Sequence, residues 1–158
     1  MVKPKQLGHL VLRVRDLEVS KTFYASILDL RVTYEIPGKM VFMSAGESSH
    51  ELALMEAGPN ASGSDNSQRG LYHFAWEMNT LEDLKILNEE LKDKEVQIVG
   101  VGDHGISIGV YFLDPDSNEI EAFYELPPDQ WPDQDNLFSG KFPKGNIENY
   151  SNSSSNKS

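Results

Sequence analysis

Apolar and polar residues alternate in the first third of the chain in a pattern that predicts strands around one helix. Residues 8–14 alternate partly, as a strand with one buried face does. Asp16 is a candidate helix N-cap, and residues 17–28 carry apolar side chains every three to four positions. This helix is expected to end near Asp29. The side chains expected on its buried stripe are Val19, Phe23, Ile27 and Leu30. The other predicted strands are residues 31–36, 40–43 and 50–55.

The same order of elements restarts after residues 58–70, a stretch rich in Gly, Ser, Asn and Asp that is predicted to be a linker. Thr80 caps a second predicted helix, whose leucines recur at helical spacing. The predicted strands of this second run are residues 72–78, 96–100, 109–113 and 119–124. When the two runs are aligned, His9 and His73 occupy equivalent places in their first strands. The pattern therefore predicts two tandem βαβββ modules, residues 7–56 and 71–126.

The composition changes after Leu126. The following residues are rich in proline and acidic side chains and show no periodicity, and residues 149–158 are mostly Ser and Asn. Such segments cannot build a core, and the end of the chain is expected to be disordered. We therefore predict one domain over residues 1–132, followed by an extension and disordered tail over residues 133–158.

Charge and composition narrow the classes of function. The chain has 158 residues, no cysteine and a formal net charge of −11. The lack of cysteine excludes disulfide scaffolds, zinc–thiolate sites and thiol nucleophiles, so a metal would be held by His and carboxylate groups. The negative charge disfavours nucleic acid and anionic membranes as partners. No signal peptide or apolar run of about 20 residues is present, which favours a cytoplasmic location without membrane partners.

Two histidines and one glutamate form the strongest chemical pattern in the chain. His9 and His73 lie in equivalent strands among apolar neighbours, and Glu121 lies within the last predicted strand. A carboxylate that points inward costs several kcal/mol unless a cation or a hydrogen-bond donor compensates it. If Glu121 points inward, these residues would form a two-His, one-carboxylate metal site with open positions. An uncharged histidine bonded to backbone is the alternative for either histidine alone.

Three motifs resemble the vicinal oxygen chelate superfamily, which includes glyoxalase I, extradiol ring-cleaving dioxygenases and the fosfomycin and bleomycin resistance proteins. The motifs are GHLVLRV followed by Asp-Leu at residues 8–17, the Phe-Tyr pair at 23–24, and DPDSNEIE at 114–121. The resemblance covers residues 7–132. It implies an α+β fold in which two βαβββ modules form a curved mixed-sheet cleft around a divalent metal. It also implies that the metal ligands are His9, His73 and Glu121.

Within this superfamily, the remaining histidines resemble those of extradiol dioxygenases, and the chain is most similar to short catechol 2,3-dioxygenase-like proteins. His50 resembles a catalytic histidine beside the metal ligands, and His104 and Tyr111 resemble residues that line the substrate pocket. The resemblance implies an oxidoreductase of aromatic catabolism that cleaves a catechol-like diol with O2. The metal would be Fe(II), with Mn(II) as the alternative. The sequence leaves the oligomeric state open, although members with one pair of modules commonly dimerise.

Two other functions remain open at this stage. A glyoxalase-type lyase or isomerase would need a fourth ligand, a glutamate in the last strand of the first module. Glu51 faces away from the His50 side of that strand, and Glu56 lies at its end. A metal-free module that binds a small drug-like molecule is the second alternative. His50 could also be a solvated turn residue, and His104 an exposed loop residue. The turn motif usually has glycine where this chain has Ser117.

Overall fold

The structure is a computed structural model, which describes residues 1–63, 69–131, 137 and 144–150. The middle of the predicted linker and most of the predicted tail therefore lie outside the described residues. The chain divides into two compact units. The first unit contains the first module together with Pro115–Ser117, and the second unit contains the rest of the second module.

The first unit has the predicted βαβββ order. Its elements are β1 (Leu10–Val14), α1 (Leu17–Leu28), β2 (Arg31–Ile36), β3 (Met40–Ser44) and β4 (Leu52–Glu56). The strands form one sheet in the order β1-β4-β3-β2. β1 runs parallel to β4 and the other pairs are antiparallel, so the sheet is mixed.

Helix α1 begins and ends where its capping residues predict. The Asp16 carboxylate accepts a hydrogen bond from the Val19 backbone N–H at 3.0 Å, and Asp29 ends the helix in a left-handed conformation. The predicted buried stripe is partly wrong, because Val19 is 50% exposed. At about 100° per residue, Val19 lies about 200° around the helix from Leu17, which is buried. The buried face consists of Leu17, Ser20, Tyr24 and Ile27.

The second unit repeats the same architecture. Its elements are β5 (His73–Glu77), α2 (Leu81–Asp93), β6 (Ile98–Asp103), β7 (Ser107–Leu113) and β8 (Glu119–Glu125), followed by a short 3-10 helix (Pro128–Gln130). The strand order is β5-β8-β7-β6, with β5 parallel to β8. The predicted helix face is confirmed, since Leu84, Leu87 and Leu91 are buried. The α+β fold with two mixed four-stranded sheets thus agrees with the sequence pattern. No helix in the described part of the chain is long and apolar enough to cross a membrane.

Residues 144–150 pack along β6, which is an edge strand of the second sheet. The Gly145 N–H donates to the Val101 carbonyl at 2.9 Å, and Lys144 forms an isolated bridge with Gly102. Ile147 is 4% exposed. Burial, together with the nearby Asp103 carboxylate, raises the pKa of Tyr150 to about 12. This segment therefore covers part of an edge whose backbone groups would otherwise be open to solvent.

The turn before β8 holds Ser117 in a conformation that disfavours a side chain. The backbone N–H and side-chain amide of Asn118 donate to the two carboxylate oxygens of Asp114 at 2.8 and 2.9 Å. Within this turn Ser117 has φ 66°, in the left-handed region. The turn thus holds a serine in a backbone conformation that glycine adopts with less strain.

We expect Ser117→Gly to stabilise the protein. Relief of the left-handed strain outweighs the entropy that glycine gains in the unfolded chain, for a net gain of roughly 0.5 to 1 kcal/mol. Urea unfolding of the variant and of Ser117→Ala, which keeps the Cβ atom, measures the effect. If the glycine variant is no more stable than the alanine variant, the backbone at this position is not strained.

Candidate functional site

The register of the second sheet places three candidate residues on one of its faces. Alternate residues of β7 and β8, such as Val110 and Ala122, are fully buried in the core. The intervening positions face the other way, because successive side chains of a strand alternate between the two faces. Glu121 on β8 pairs with Tyr111 on β7 and with Ala75 on β5. His73 lies two residues before Ala75 on β5, hence on the same face. His73, Tyr111 and Glu121 therefore share the face opposite the core.

Glu121 is a largely buried carboxylate whose two oxygens face different partners. Its side chain is 11% exposed, and Oε2 lies 3.4 Å from Nε2 of His73. Two ligand atoms that each bind one ion at about 2.1 Å are at most about 4.2 Å apart. A neutral imidazole nitrogen and a carboxylate oxygen also suit a divalent cation of intermediate softness. The pair therefore fits two ligands of one metal ion.

The second oxygen of Glu121 belongs to a hydrogen-bonded chain. The Tyr111 hydroxyl donates to Oε1 at 2.9 Å, and Nε2 of His104 lies 3.0 Å from the same hydroxyl oxygen. The hydroxyl has one proton and donates it to Glu121, so Nε2 of His104 carries the proton in the second bond. Burial, followed by the bond to the Glu121 carboxylate, raises the pKa of Tyr111 well above its usual value. Tyr111 therefore keeps its proton at neutral pH.

The alternative of an exposed loop residue does not hold for His104. Its side chain is 19% exposed and ends 4.0 Å from Oε1 of Glu121. The loop that carries it is closed by a hydrogen bond from the His104 N–H to the Ser107 carbonyl at 2.9 Å. This bond extends the β6–β7 hairpin and turns the imidazole toward Tyr111.

Sequence analysis missed Glu119, a second carboxylate beside His73. Oε1 of Glu119 lies 3.7 Å from Nδ1 of His73, a buried atom without a hydrogen-bond partner. A metal-bound histidine commonly directs its other ring nitrogen toward a carboxylate. Glu119 precedes Glu121 by two residues, so the alternation of the strand carried the signal that both lie on one face.

The first unit brings the other two histidines together. His9 lies just before β1 and is exposed, and the His50 ring lies 4.5 Å from it between centroids. Phe42 contacts His50 edge-on at 5.2 Å, and the Ser49 hydroxyl lies 3.1 Å from Nδ1 of His50. His50 is partly buried, so its side chain is not fully solvated.

The predicted strand 50–55 is wrong at its start, because β4 begins at Leu52. The Glu51 carboxylate accepts hydrogen bonds from the Ala45 N–H, at 3.0 Å, and from the Ser48 hydroxyl. These bonds close the bend over residues 45–49. His50 therefore lies between this bend and the start of the strand.

The position of the first unit that is equivalent to Glu121 does not carry an acidic side chain. In the second unit, Glu121 on β8 pairs with Ala75 on β5. In the first unit, Ala53 on β4 pairs in the same way with Val11 on β1, so Ala53 occupies the position equivalent to Glu121. Glu56 instead accepts a hydrogen bond from the Leu17 N–H at 2.9 Å. Partial burial acts to raise the pKa of Glu51, but the hydrogen bonds it accepts lower that pKa below its usual value. Both candidate glutamates thus serve local structure.

In the part of the chain that the structure describes, no group of three His, Asp or Glu side chains is arranged to hold a metal ion. The second unit brings together two of the three predicted ligands, His73 and Glu121, with His104 and Tyr111 beside them. The third predicted ligand, His9, belongs to the first unit with His50. A cavity of about 510 Å³ in the second unit involves other residues, at the ends of β5 and β8 and at Pro127 and Pro128.

The chain matches one family model and several curated relatives. The model described as the Glyoxalase/Bleomycin resistance protein/Dioxygenase superfamily matches residues 6–122. A biphenyl-2,3-diol 1,2-dioxygenase 2 of Rhodococcus globerulus is 31% identical over 121 residues, which are 77% of this chain and 63% of the relative. A catechol-2,3-dioxygenase of Bacillus subtilis is 31% identical over 126 residues, which are 79% of this chain and 43% of the relative. The chain thus spans less than two thirds of the length of these relatives.

Solved structures share the fold at lower identity. A glyoxalase/dioxygenase from Nostoc punctiforme superposes with a TM-score of 0.67 at 21% identity, over 80% of this chain and 97% of the other. A lactoylglutathione lyase from Agrobacterium tumefaciens superposes with a TM-score of 0.60 at 19% identity, over 77% and 94%. These similarities concern the fold, which hosts more than one chemistry.

Proposed function

Because the chain belongs to the Glyoxalase/Bleomycin resistance protein/Dioxygenase superfamily, we propose that it is a metal-dependent extradiol dioxygenase that cleaves a catechol-like diol with O2. The observation that carries the proposal is the continuous contact from His73 through Glu121 and Tyr111 to His104. It joins a pair of groups fit to bind a metal to a pair fit to hold a diol by hydrogen bonds. The names of the curated relatives, a biphenyl-diol dioxygenase and a catechol dioxygenase, support this choice of chemistry.

The proposed metal ligands are His73 and Glu121 of the second unit and His9, which the alignment of the two modules makes equivalent to His73. Two imidazoles and one carboxylate suit Fe(II), with Mn(II) as the alternative. The bound ion would supply a positive centre with open positions for the diol oxygens and O2. Glu119 would accept the Nδ1–H of His73 and so fix which ring nitrogen faces the metal.

Tyr111 and His104 are proposed to bind the diol beside Glu121. Tyr111 holds Oε1 of Glu121 and leaves Oε2 turned toward His73. Since Tyr111 keeps its proton at neutral pH, it acts as a hydrogen-bond donor and not as a base. His104 donates its Nε2–H to the Tyr111 oxygen and so fixes the orientation of the hydroxyl. We therefore propose that His104 and Tyr111 act as one hydrogen-bonded pair that binds and orients the diol.

His50 is proposed to act as the acid and base toward the oxygen substrate. Its Nδ1 is engaged by the Ser49 hydroxyl, so Nε2 is the atom available to donate or accept a proton. The contacts with His9 and Phe42 hold the ring in place from two sides. A fixed ring orientation favours proton transfer, because the donor atom must lie within hydrogen-bond reach of its partner.

The structure favours this chemistry over the two alternatives. A glyoxalase-type lyase needs a fourth carboxylate ligand, and the equivalent position holds Ala53. A metal-free binding module would leave two neighbouring carboxylates, Glu119 and Glu121, beside His73 with the Tyr111 hydroxyl as a donor to Glu121 but without a cation. One hydrogen bond compensates only part of the cost of burying this charge, which supports a bound metal.

The proposal is tested by purifying the protein without oxygen, quantifying bound iron, manganese, nickel and zinc, and then adding catechol or biphenyl-2,3-diol with O2. We expect iron or manganese and a yellow ring-fission product. Hydroquinone, whose hydroxyls are not adjacent, should give no product and serves as the control. Nickel or zinc without colour would favour the lyase, and protein that binds none of these metals would favour the binding module.

A further inference from the structure

Two glycines face each other in the second sheet without any backbone need for glycine. Gly102 on β6 pairs with Gly109 on β7. Neither has a positive φ, unlike Gly105 in the loop between these strands. Glycine inside a strand weakens it, because the residue has no side chain to pack and loses more entropy on folding. The backbone conformation therefore does not explain why glycine occupies these two positions. The explanation must lie in the space that a side chain would fill.

The space above each glycine is filled by a residue of the candidate site. A Cβ atom added to Gly109 would overlap Oε1 of Glu121 and lie 3.1 Å from its Cγ and Cδ atoms. A Cβ atom added to Gly102 would lie 3.1 Å from Cε2 of Tyr111 and 3.4 Å from Nε2 of His104. The first contact is impossible without a shift, and the second is tighter than ordinary packing.

We propose that Gly102 and Gly109 are positioning residues, which we call the glycine floor. The missing side chains let Glu121, Tyr111 and His104 lie flat on the sheet and reach one another. The inference rests on the proposed function only for what this placement achieves, namely presentation of Glu121 to a metal and of His104 to a diol.

The two glycines have separable effects. Gly109 lies under the oxygen of Glu121 that accepts the Tyr111 proton. A methyl group there moves the carboxylate itself, so both the contact with His73 and the bond from Tyr111 change. Gly102 lies under Tyr111 and His104, and a methyl group there displaces these two side chains. Glu121 then loses the bond from Tyr111 but keeps its own position and its contact with His73.

Gly100 offers a matched control. It lies two residues before Gly102 on the same strand, hence on the same face, and a Cβ atom added there meets nothing within 4 Å. Gly100→Ala therefore makes the same chemical change in the same strand without touching the site.

The test compares Gly109→Ala, Gly102→Ala and Gly100→Ala by anaerobic Mn(II) titration, by catechol kinetics, and by ¹⁵N signals of the imidazoles in metal-free protein. Gly109→Ala should weaken Mn(II) binding by about tenfold or more, as loss of a ligand's support does. Gly102→Ala should keep Mn(II) affinity within about threefold but lower kcat by about tenfold or more, since small misplacements of reacting groups are costly. The ¹⁵N signal of His104 in Gly102→Ala should shift relative to the wild type. Gly100→Ala should match the wild type in all three.

The glycine floor is overturned if both site variants behave like Gly100→Ala. If Gly109→Ala does not fold, adding Glu121→Asp shortens the carboxylate and should restore folding and the His104 signal, whereas no restoration would count against the inference. The metal-free signals also separate the two proposals. If the wild-type protein binds no metal and cleaves no diol, the proposed function is wrong. The ¹⁵N signals of the imidazoles in the metal-free variants still test the role of the glycines.

Discussion

Glu121→Gln is expected to reduce metal affinity by about two orders of magnitude or more and to abolish diol cleavage. The amide keeps the size of the side chain and can still accept the Tyr111 hydrogen bond through its oxygen. It loses the negative charge that a divalent ion needs from this position. Iron and manganese content after anaerobic purification, together with Mn(II) titration, measures the loss.

The same variant is expected to fold at least as stably as the metal-free wild type. Glu121 as a whole residue is 8% exposed, and a buried charge is costly unless it is fully compensated. Removal of the Glu121 charge therefore lowers the cost of folding for the metal-free protein. Urea unfolding in the presence of a chelator should show no loss in the free energy of unfolding. Retained stability with lost metal identifies a ligand, whereas a loss of both would indicate only a structural role.

Glu125→Gln is the matched control for this experiment. Glu125 lies on β8 four residues after Glu121, so it shares the strand and the face, and it is absent from the contacts of His73. The variant removes the same charge and should keep its metal. Stoichiometric metal in Glu121→Gln would contradict the ligand assignment.

The fold followed from local patterns because each pattern had a local cause. Asp16 and Thr80 cap their helices through their own side chains, and the hydrogen bonds involved reach only three residues along the chain. Strand alternation likewise reports a single covered face. The apolar stripe of α1 was less predictable, because valine in a helix can face solvent when a larger residue such as Tyr24 fills the core.

The site depended on information that alternation does not contain. The pattern of β8 shows that Glu119 and Glu121 share a face, but it does not show which face the core covers. The contacts of Glu121 with Tyr111 and His73 follow from the strand order β5-β8-β7-β6, which is set by packing over the whole unit. The glycine floor was hidden for the same reason, since a glycine reveals its role only when its neighbours on adjacent strands are known.

His50 illustrates both limits at once. Its neighbours in the sequence suggested a strand residue, but hydrogen bonds from Ala45 and Ser48 to Glu51 close a bend just before it, and the strand begins only at Leu52. Its contact with His9 bridges a sequence gap that no local pattern reports. The proposed acid–base role is therefore best tested by a substitution that leaves the shape of the bend unchanged.

His50→Gln is expected to lower kcat for catechol by about 10² to 10⁴-fold while the protein keeps its metal, because general acid–base groups contribute rate enhancements of this size. Glutamine retains polar atoms that can meet the Ser49 hydroxyl, but it cannot exchange a proton near neutral pH. Rapid mixing of the anaerobic enzyme–catechol complex with O2 measures the step in which His50 is proposed to act. Ser49→Ala, which removes only the partner of Nδ1, should lower kcat by no more than about tenfold. Wild-type turnover in His50→Gln would exclude the acid–base role, and loss of the metal would assign His50 to the ligands instead.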